Sequence, residues 1–238
     1  MVIKPPVDCH KHPYWDLKRR LEFLLCNLYL LLTMSKSIDS LDKRQSLAAD
    51  PNWREYTVPE RMIAVTGIVM MITLSELFFP GEIIQLIISF QQNPTSVTIN
   101  VLPEIGFIIL LVAIHEVIHY LTTWVNGQSP EFGLRFQKTF WLLKEPVPYV
   151  VALEQRISRN ENIFALIAPL VVINALAVGV LLLPLPDVAN HFARLALVVN
   201  TAGSVQDLYN VIRLLKYPKK TDFVNLVDDD VRTFYTVQ

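Results

Sequence analysis

Charge is what this sequence has least of. Only 18% of its 238 residues are Asp, Glu, Lys or Arg, against about 25% in ordinary soluble domains. Hydrophobic residues make up 52% and the mean hydropathy is +0.37, a balance that points to a membrane protein. The net charge is −1, so the chain lacks the basic excess that nucleic acid attracts, and nucleic acid is not an expected partner. Cysteine is nearly missing: Cys9 and Cys26 make no CxxC pair and no disulfide framework. Glycine is scarce, with seven residues, and there is no low-complexity tract or repeat. The opening MVIKPPVDCHKHPYWDLKRR lacks an early apolar core and a small-residue cleavage site, so it does not read as a signal peptide. Cys9, His10 and His12 offer metal-ligand atoms there, but a solvated terminus is the expected reading.

What is present is a set of long apolar runs. A bilayer-spanning helix needs about 20 apolar residues, and four stretches qualify: residues 61–79, 102–125, 163–185 and the less hydrophobic 188–216. Thr57 and Glu60 form a capping-box pattern before the first, and Pro80-Gly81 ends it. The apolar IIQLIISF from Ile83 extends that span or lies at the surface. Residues 21–34 are too short to span and carry positive charge on both sides. They read as a helix lying on the cytoplasmic face with Trp15 at the interface, or else as a buried core helix.

The positive residues alternate as four spans require. Ten Lys and Arg precede the first span, counting Arg61, and none lies between Pro80 and Val101. Arg135, Lys138, Lys144, Arg156 and Arg159 separate spans two and three; Arg194 lies inside the fourth; five more follow Asp207. This places both termini on the cytoplasmic side. A soluble all-α bundle with buried helices is the competing reading. The segment 126–160 differs: EFGLRF, TFWLL and PYVVAL, broken by Asn126-Gly127 and prolines, predict two or three cytoplasmic strands against the membrane domain. The expected organisation is a cytoplasmic region 1–60, a membrane-embedded domain 61–217 with 126–160 as a strand-rich insertion, and a cytoplasmic tail 218–238. The expected fold is an α-helical polytopic membrane protein of about four transmembrane helices.

The chemistry lies in LLVAIHEVIHYLTTW. His115, Glu116 and His119 spell HExxH, which puts the two histidines one helical turn apart on one face, able to reach one zinc ion. Such an ion lowers the pKa of a bound water, and Glu116, the next residue round the helix, can take its proton. Alone the motif is a weak signal. Inside an apolar span it sharpens, because an ionisable group there costs about 2.5–3.5 kcal/mol on insertion scales and is usually functional. The competing reading is two buried histidines satisfied by neighbours, with Glu116 paired to one of them.

A catalytic zinc usually takes a third protein ligand, and no acid on this helix is placed to serve. Asp207, in the fourth span, reaches about the depth of His115 and His119 when each helix is measured from its outer end at 1.5 Å per residue. Its alternatives are pairing with Arg213 or Arg194, or facing water at a helix end. Asn174 and Pro169 in the third span either open a cavity or serve packing and a kink. Tyr120, Trp124 and Trp141 fit membrane-interface positions. His191 begins the fourth span at the opposite side, so it is not expected to be a ligand.

HExxH in one apolar helix, a strand region and an Asp in a later helix resemble the site-2 protease class of intramembrane zinc metalloproteases. More closely, the chain is similar to the small bacterial membrane proteins classed as zincin peptidases. The likeness runs over about residues 105–210, through HEVIH, EFGLRF, ISRNENIFALIAPLVVIN and NTAGSVQDLYN. Site-2 enzymes carry Asn, Pro and then Leu-Asp-Gly in the later helix; this chain has Asn200, Gly203 and then Gln206-Asp207-Leu208. The resemblance implies a zinc metallopeptidase fold with Zn2+ on His115, His119 and Asp207. It also implies that Asn200 contacts the substrate backbone or the oxyanion.

Three functions fit. The first is a membrane zinc peptidase acting on a membrane-protein or peptide substrate, with Glu116 as general base and the bilayer as its setting. The second is a non-proteolytic protein using His115, Glu116, His119 and Asp207 as an ion or proton pathway. The third is a catalytically inactive relative that binds partners. The intact Glu116 favours an enzyme, and a transporter would show repeats or paired half-helices that are not visible here.

Overall fold

The computed structural model describes Asp50 and residues 52–140, 143–227 and 231–237. Cys9, His10, His12, the 21–34 helix with Trp15, and Trp141 lie outside the described residues. The element order is β1 (Trp53–Tyr56), α1 (Glu60–Phe78), α2 (Glu82–Gln92), α3 (Pro94–Val125), β2 (Pro130–Phe140), β3 (Leu143–Ala152) and β4 (Arg156–Ser158). Then come α4 (Arg159–Leu181), α5 (Asp187–Gly203), α6 (Val205–Leu214), β5 (Thr221–Val227) and β6 (Val231–Val237).

The fold is mostly helical with small antiparallel sheets. Three described helices are long and apolar enough to cross a membrane: α1, the 25 residues Val101–Val125 of α3, and α4. Their apolar side chains are left largely uncovered, as at Val69, Ile109 and Leu176. The fourth expected span is not one helix. It is α5 and α6, separated by a break at Ser204, and neither piece reaches 18 residues. The capping box expected at Thr57 and Glu60 is absent. Pro59 takes the N-cap position of α1 with no side-chain bond, and the Thr57 carbonyl is instead bound by Arg213. A capping box does open α4, where Ser158 accepts from the Glu161 N–H and Glu161 accepts from the Ser158 N–H.

α3, α4 and α5 pack round Leu111, Ile173, Ala177, Ala193 and Ala196. The alanines let the helix backbones come close, as small residues do between membrane helices. Of the strands expected in 126–160, β2 and β3 form a hairpin, paired from Pro130↔Ala152 inward. β4 leaves it to join a second, four-stranded sheet in the order β1-β6-β5-β4. Two of those strands, β5 and β6, come from the segment read as a tail. β1, from the N-terminal region, pairs antiparallel with β6, Trp53 opposite Thr236 and Tyr56 opposite Thr233.

Candidate metal centre

The HExxH residues sit near the C-terminal end of α3, where that helix packs on α4 and α5. His115 Nε2 and His119 Nε2 are 3.1 Å apart. Asp207, on α6, brings its Oδ2 to 3.3 Å from His115 Nε2 and 3.5 Å from His119 Nε2. The expected depth match between the fourth segment and α3 therefore describes a real proximity. The alternative partners of Asp207 are engaged elsewhere: Arg213 at the Thr57 carbonyl and over the Tyr56 ring, Arg194 at the Asn190 carbonyl and over the Phe79 ring.

The other ring nitrogens fix the tautomers. His119 Nδ1 lies 2.9 Å from the Ala165 carbonyl oxygen, which can only accept, so Nδ1 carries the proton. His115 Nδ1 lies 3.0 Å from Asn200 Oδ1. That amide is oriented by its own donors, since Asn200 Nδ2 gives to Asn174 Oδ1 at 2.9 Å and to the Pro169 carbonyl at 3.4 Å. Asn174 in turn donates to Thr201 Oγ1 at 2.9 Å. With both rings neutral, both Nε2 atoms present lone pairs, and they face each other and a carboxylate. Three electron-rich atoms in that arrangement repel unless a metal ion or a shared proton lies among them.

The donor set fits zinc. Tetrahedral coordination at about 2.0–2.1 Å puts neighbouring ligand atoms about 3.3–3.4 Å apart. The observed separations of 3.1, 3.3 and 3.5 Å bracket that value. His115, His119 and Asp207 also form the single metal-capable group of His, Cys, Asp and Glu among the described residues.

The Ala165 carbonyl has a local cause. In a regular helix it would accept from the N–H of residue 169, but residue 169 is proline and has none. The freed carbonyl accepts from His119 instead. Pro169 in an apolar helix was thus a legible signal for this contact.

Asn200 is placed differently from the expectation of a substrate or oxyanion contact. It is 3% exposed, and both its amide hydrogens and its oxygen are used inside the protein. No donor remains for a substrate, and its position is behind His115. His191 is not part of the cluster; its Nε2 lies 3.2 Å from Glu104 Oε1. Tyr120 stacks on Phe132 with centroids 4.9 Å apart, and Trp124 is exposed.

His115, Glu116, His119 and Asp207 line one cavity of about 310 Å³. Residues 148–152 of β3 form part of its wall, and Phe223, Asn225 and Thr233 of the four-stranded sheet form another. Tyr56 and Asn210 also line it, bonded to each other at 3.0 Å. Tyr56 was not found from the sequence: nothing local marks it, and its partner is 154 positions away.

Fold and site together define a class: a helical protein with three helices able to cross a membrane and a His–His–Asp group able to hold a metal ion. Residues 108–221 match the family model described as "Putative zincin peptidase". The matched stretch contains His115, Glu116, His119, Asn200 and Asp207 and leaves out β1 and β6. No curated protein and no solved structure matches the chain significantly.

Proposed function

We propose that this chain is a zinc-dependent metallopeptidase acting at, or just within, the cytoplasmic half of a membrane. The observation that carries the reading is the convergence of two lone-pair imidazole nitrogens and one carboxylate oxygen beside Glu116. His115, His119 and Asp207 hold the ion. When bound, zinc lowers the pKa of a water and polarises the scissile carbonyl. Glu116 takes the proton of the attacking water and delivers it to the leaving amine. Asn200 and the Ala165 carbonyl hold the two imidazoles in the tautomer that leaves Nε2 free. Within its two-stranded sheet β3 has a strand neighbour on one side only. An unwound substrate segment can add there as a further strand.

The strand pairings support four crossings. β4 immediately precedes α4, β5 follows α6, and the two are paired at Arg156↔Val224. A chain that leaves through α4 and returns to its starting side must cross back through α5 and α6 together. The pairing of β1 with β6 supports the same side for residues 53–56 and 231–237. The positive-residue count makes it the cytoplasmic side, with both termini there. The partners are then the bilayer and a membrane-protein or peptide substrate, with no nucleic acid.

The test is cleavage of a peptide library and of membrane-anchored reporters by detergent-purified protein. Wild type should cut; Glu116→Gln should bind zinc as wild type does and not cut. Cutting by Glu116→Gln at the wild-type rate would remove the mechanism.

A further inference from the structure

The third ligand sits on the shortest of the helices at the site. α6 has 10 residues and is separated from α5 by the break at Ser204. Yet Asp207 must be held to a few tenths of an ångström if it is to close a metal site with two histidines on another helix. Buried Val205, Val211 and Leu214 pack α6 against its neighbours, and the four-stranded sheet adds a second set of contacts on the side that carries Asn210 and Arg213.

On α6 and just beyond, Asn210, Arg213 and Tyr217 follow Asp207 at steps of three, three and four. Residues so spaced lie on one side of a helix. All three touch one residue, Tyr56 of β1. The Tyr56 hydroxyl donates to Asn210 Oδ1 at 3.0 Å. The Arg213 guanidinium lies over the Tyr56 ring, 4.4 Å from its centroid, and also donates to the carbonyl of the next residue, Thr57. The Tyr217 ring lies 6.5 Å from that of Tyr56, and both contact Phe223 of β5. β1 is itself held by β6 along its whole length. Burial pushes the Tyr56 phenol up to about 12, against the pull of the Arg213 guanidinium, so the hydroxyl remains a hydrogen-bond donor at any working pH.

We propose that Tyr56 is a positioning residue for the metal centre: through Asn210, Arg213 and Tyr217 it clamps α6 and sets Asp207 opposite His115 and His119. The clamp comes from outside the stretch that matches the family model. The matched residues alone therefore do not complete the site; strands β1 and β6, at the two ends of the described chain, finish it. The inference rests on the zinc-site reading and adds to it the group that makes the third ligand stay.

The experiment uses full-length protein in detergent. Zinc affinity is measured by competition with a chromophoric chelator for wild type, Tyr56→Phe, Asn210→Ala and the double variant. The absorption spectrum of the cobalt(II)-loaded protein is read alongside, since its ligand-field bands report ligand geometry. The melting temperature of the metal-free protein controls for general loosening. Tyr56→Phe removes one hydroxyl and should weaken zinc binding about 10-fold, the lower end of what orienting partners contribute. It should change the cobalt bands while leaving the metal-free melting temperature within a few degrees of wild type. The double variant should bind no more weakly than the weaker single one, because both break the same link.

Wild-type affinity and spectrum in Tyr56→Phe would overturn the clamp while leaving the zinc site standing. Losses that multiply in the double variant would also overturn it, since Tyr56 would then not act through Asn210. If wild type binds no zinc, clamp and zinc-site reading fall together. Should Tyr56→Phe fail to fold, Asn210→Ala tests the same link from the α6 side, with the same expected loss and the same refutation.

Discussion

At the scale of single residues, the proposed metal site depends on atoms outside the ligand set. Asn200 orients His115, and the Ala165 carbonyl orients His119. Removing an orienting partner of a metal-bound histidine costs about 10–100-fold in affinity. Asn200→Ala should therefore weaken zinc binding by that range in a chelator competition; unchanged affinity would mean that His115 needs no such support. Pro169→Ala is a subtler test. It restores an N–H that can claim the Ala165 carbonyl and so competes with His119. Zinc affinity should fall several-fold, to about 10-fold at most, while the helix itself is not weakened. Tighter binding would contradict that account of the freed carbonyl. His115, Glu116 and His119 were legible because their relation is local, a matter of helical spacing. Asp207 was legible through span lengths alone. For Asn200 the resemblance supplied a role without geometry. Its actual neighbours, Asn174 and the Pro169 carbonyl, come from another helix.

At the scale of elements, two junctions place the cavity wall. The capping box at Ser158 and Glu161 starts α4; just after α3, Gln128 donates to the Glu161 carboxylate and Asn126 to the Glu161 backbone carbonyl. Ser158→Ala should cost about 1 kcal/mol, read as a lowered melting temperature in detergent. No change would show that packing alone sets the start of α4. In the hairpin, Gly133 lies under the Tyr149 ring, and a Cβ there would come within 2.2 Å of Tyr149 Cζ. Tyr149 lines the cavity. Gly133→Ala should thus displace that ring and cut peptide hydrolysis more than tenfold with zinc still bound. Full activity would mean that this part of the wall does not meet substrate. The sequence marked the hairpin through its aromatic and β-branched runs. It marked the break at Ser204 only weakly, since no proline stands there and a single Gly203 is tolerated within a helix.

At the scale of the whole molecule, the two ends of the described chain meet beneath the site. β1 and β6 pair, and Phe223, Asn225 and Thr233 from the terminal strands line the cavity. TDFVNLV and VRTFYTV carried a strand signal in their β-branched and aromatic residues. Their pairing with residue 53 is invisible in any local pattern. Removing residues 218–238 should abolish zinc retention and hydrolysis together, because floor and clamp go at once. A truncated protein that keeps zinc at wild-type affinity would show that the sheet is an accessory.

The central claim is that His115, His119 and Asp207 hold one zinc ion. X-ray absorption at the zinc edge of purified wild-type protein, with metal content measured on the same sample, tests it most directly. The account predicts about one zinc per chain in a shell of two imidazole nitrogens and oxygen, at about 2.0–2.2 Å and without sulfur. In Asp207→Ala that stoichiometric zinc should be lost or its shell changed. Sulfur in the shell, or well-folded protein that holds no zinc, would contradict the account.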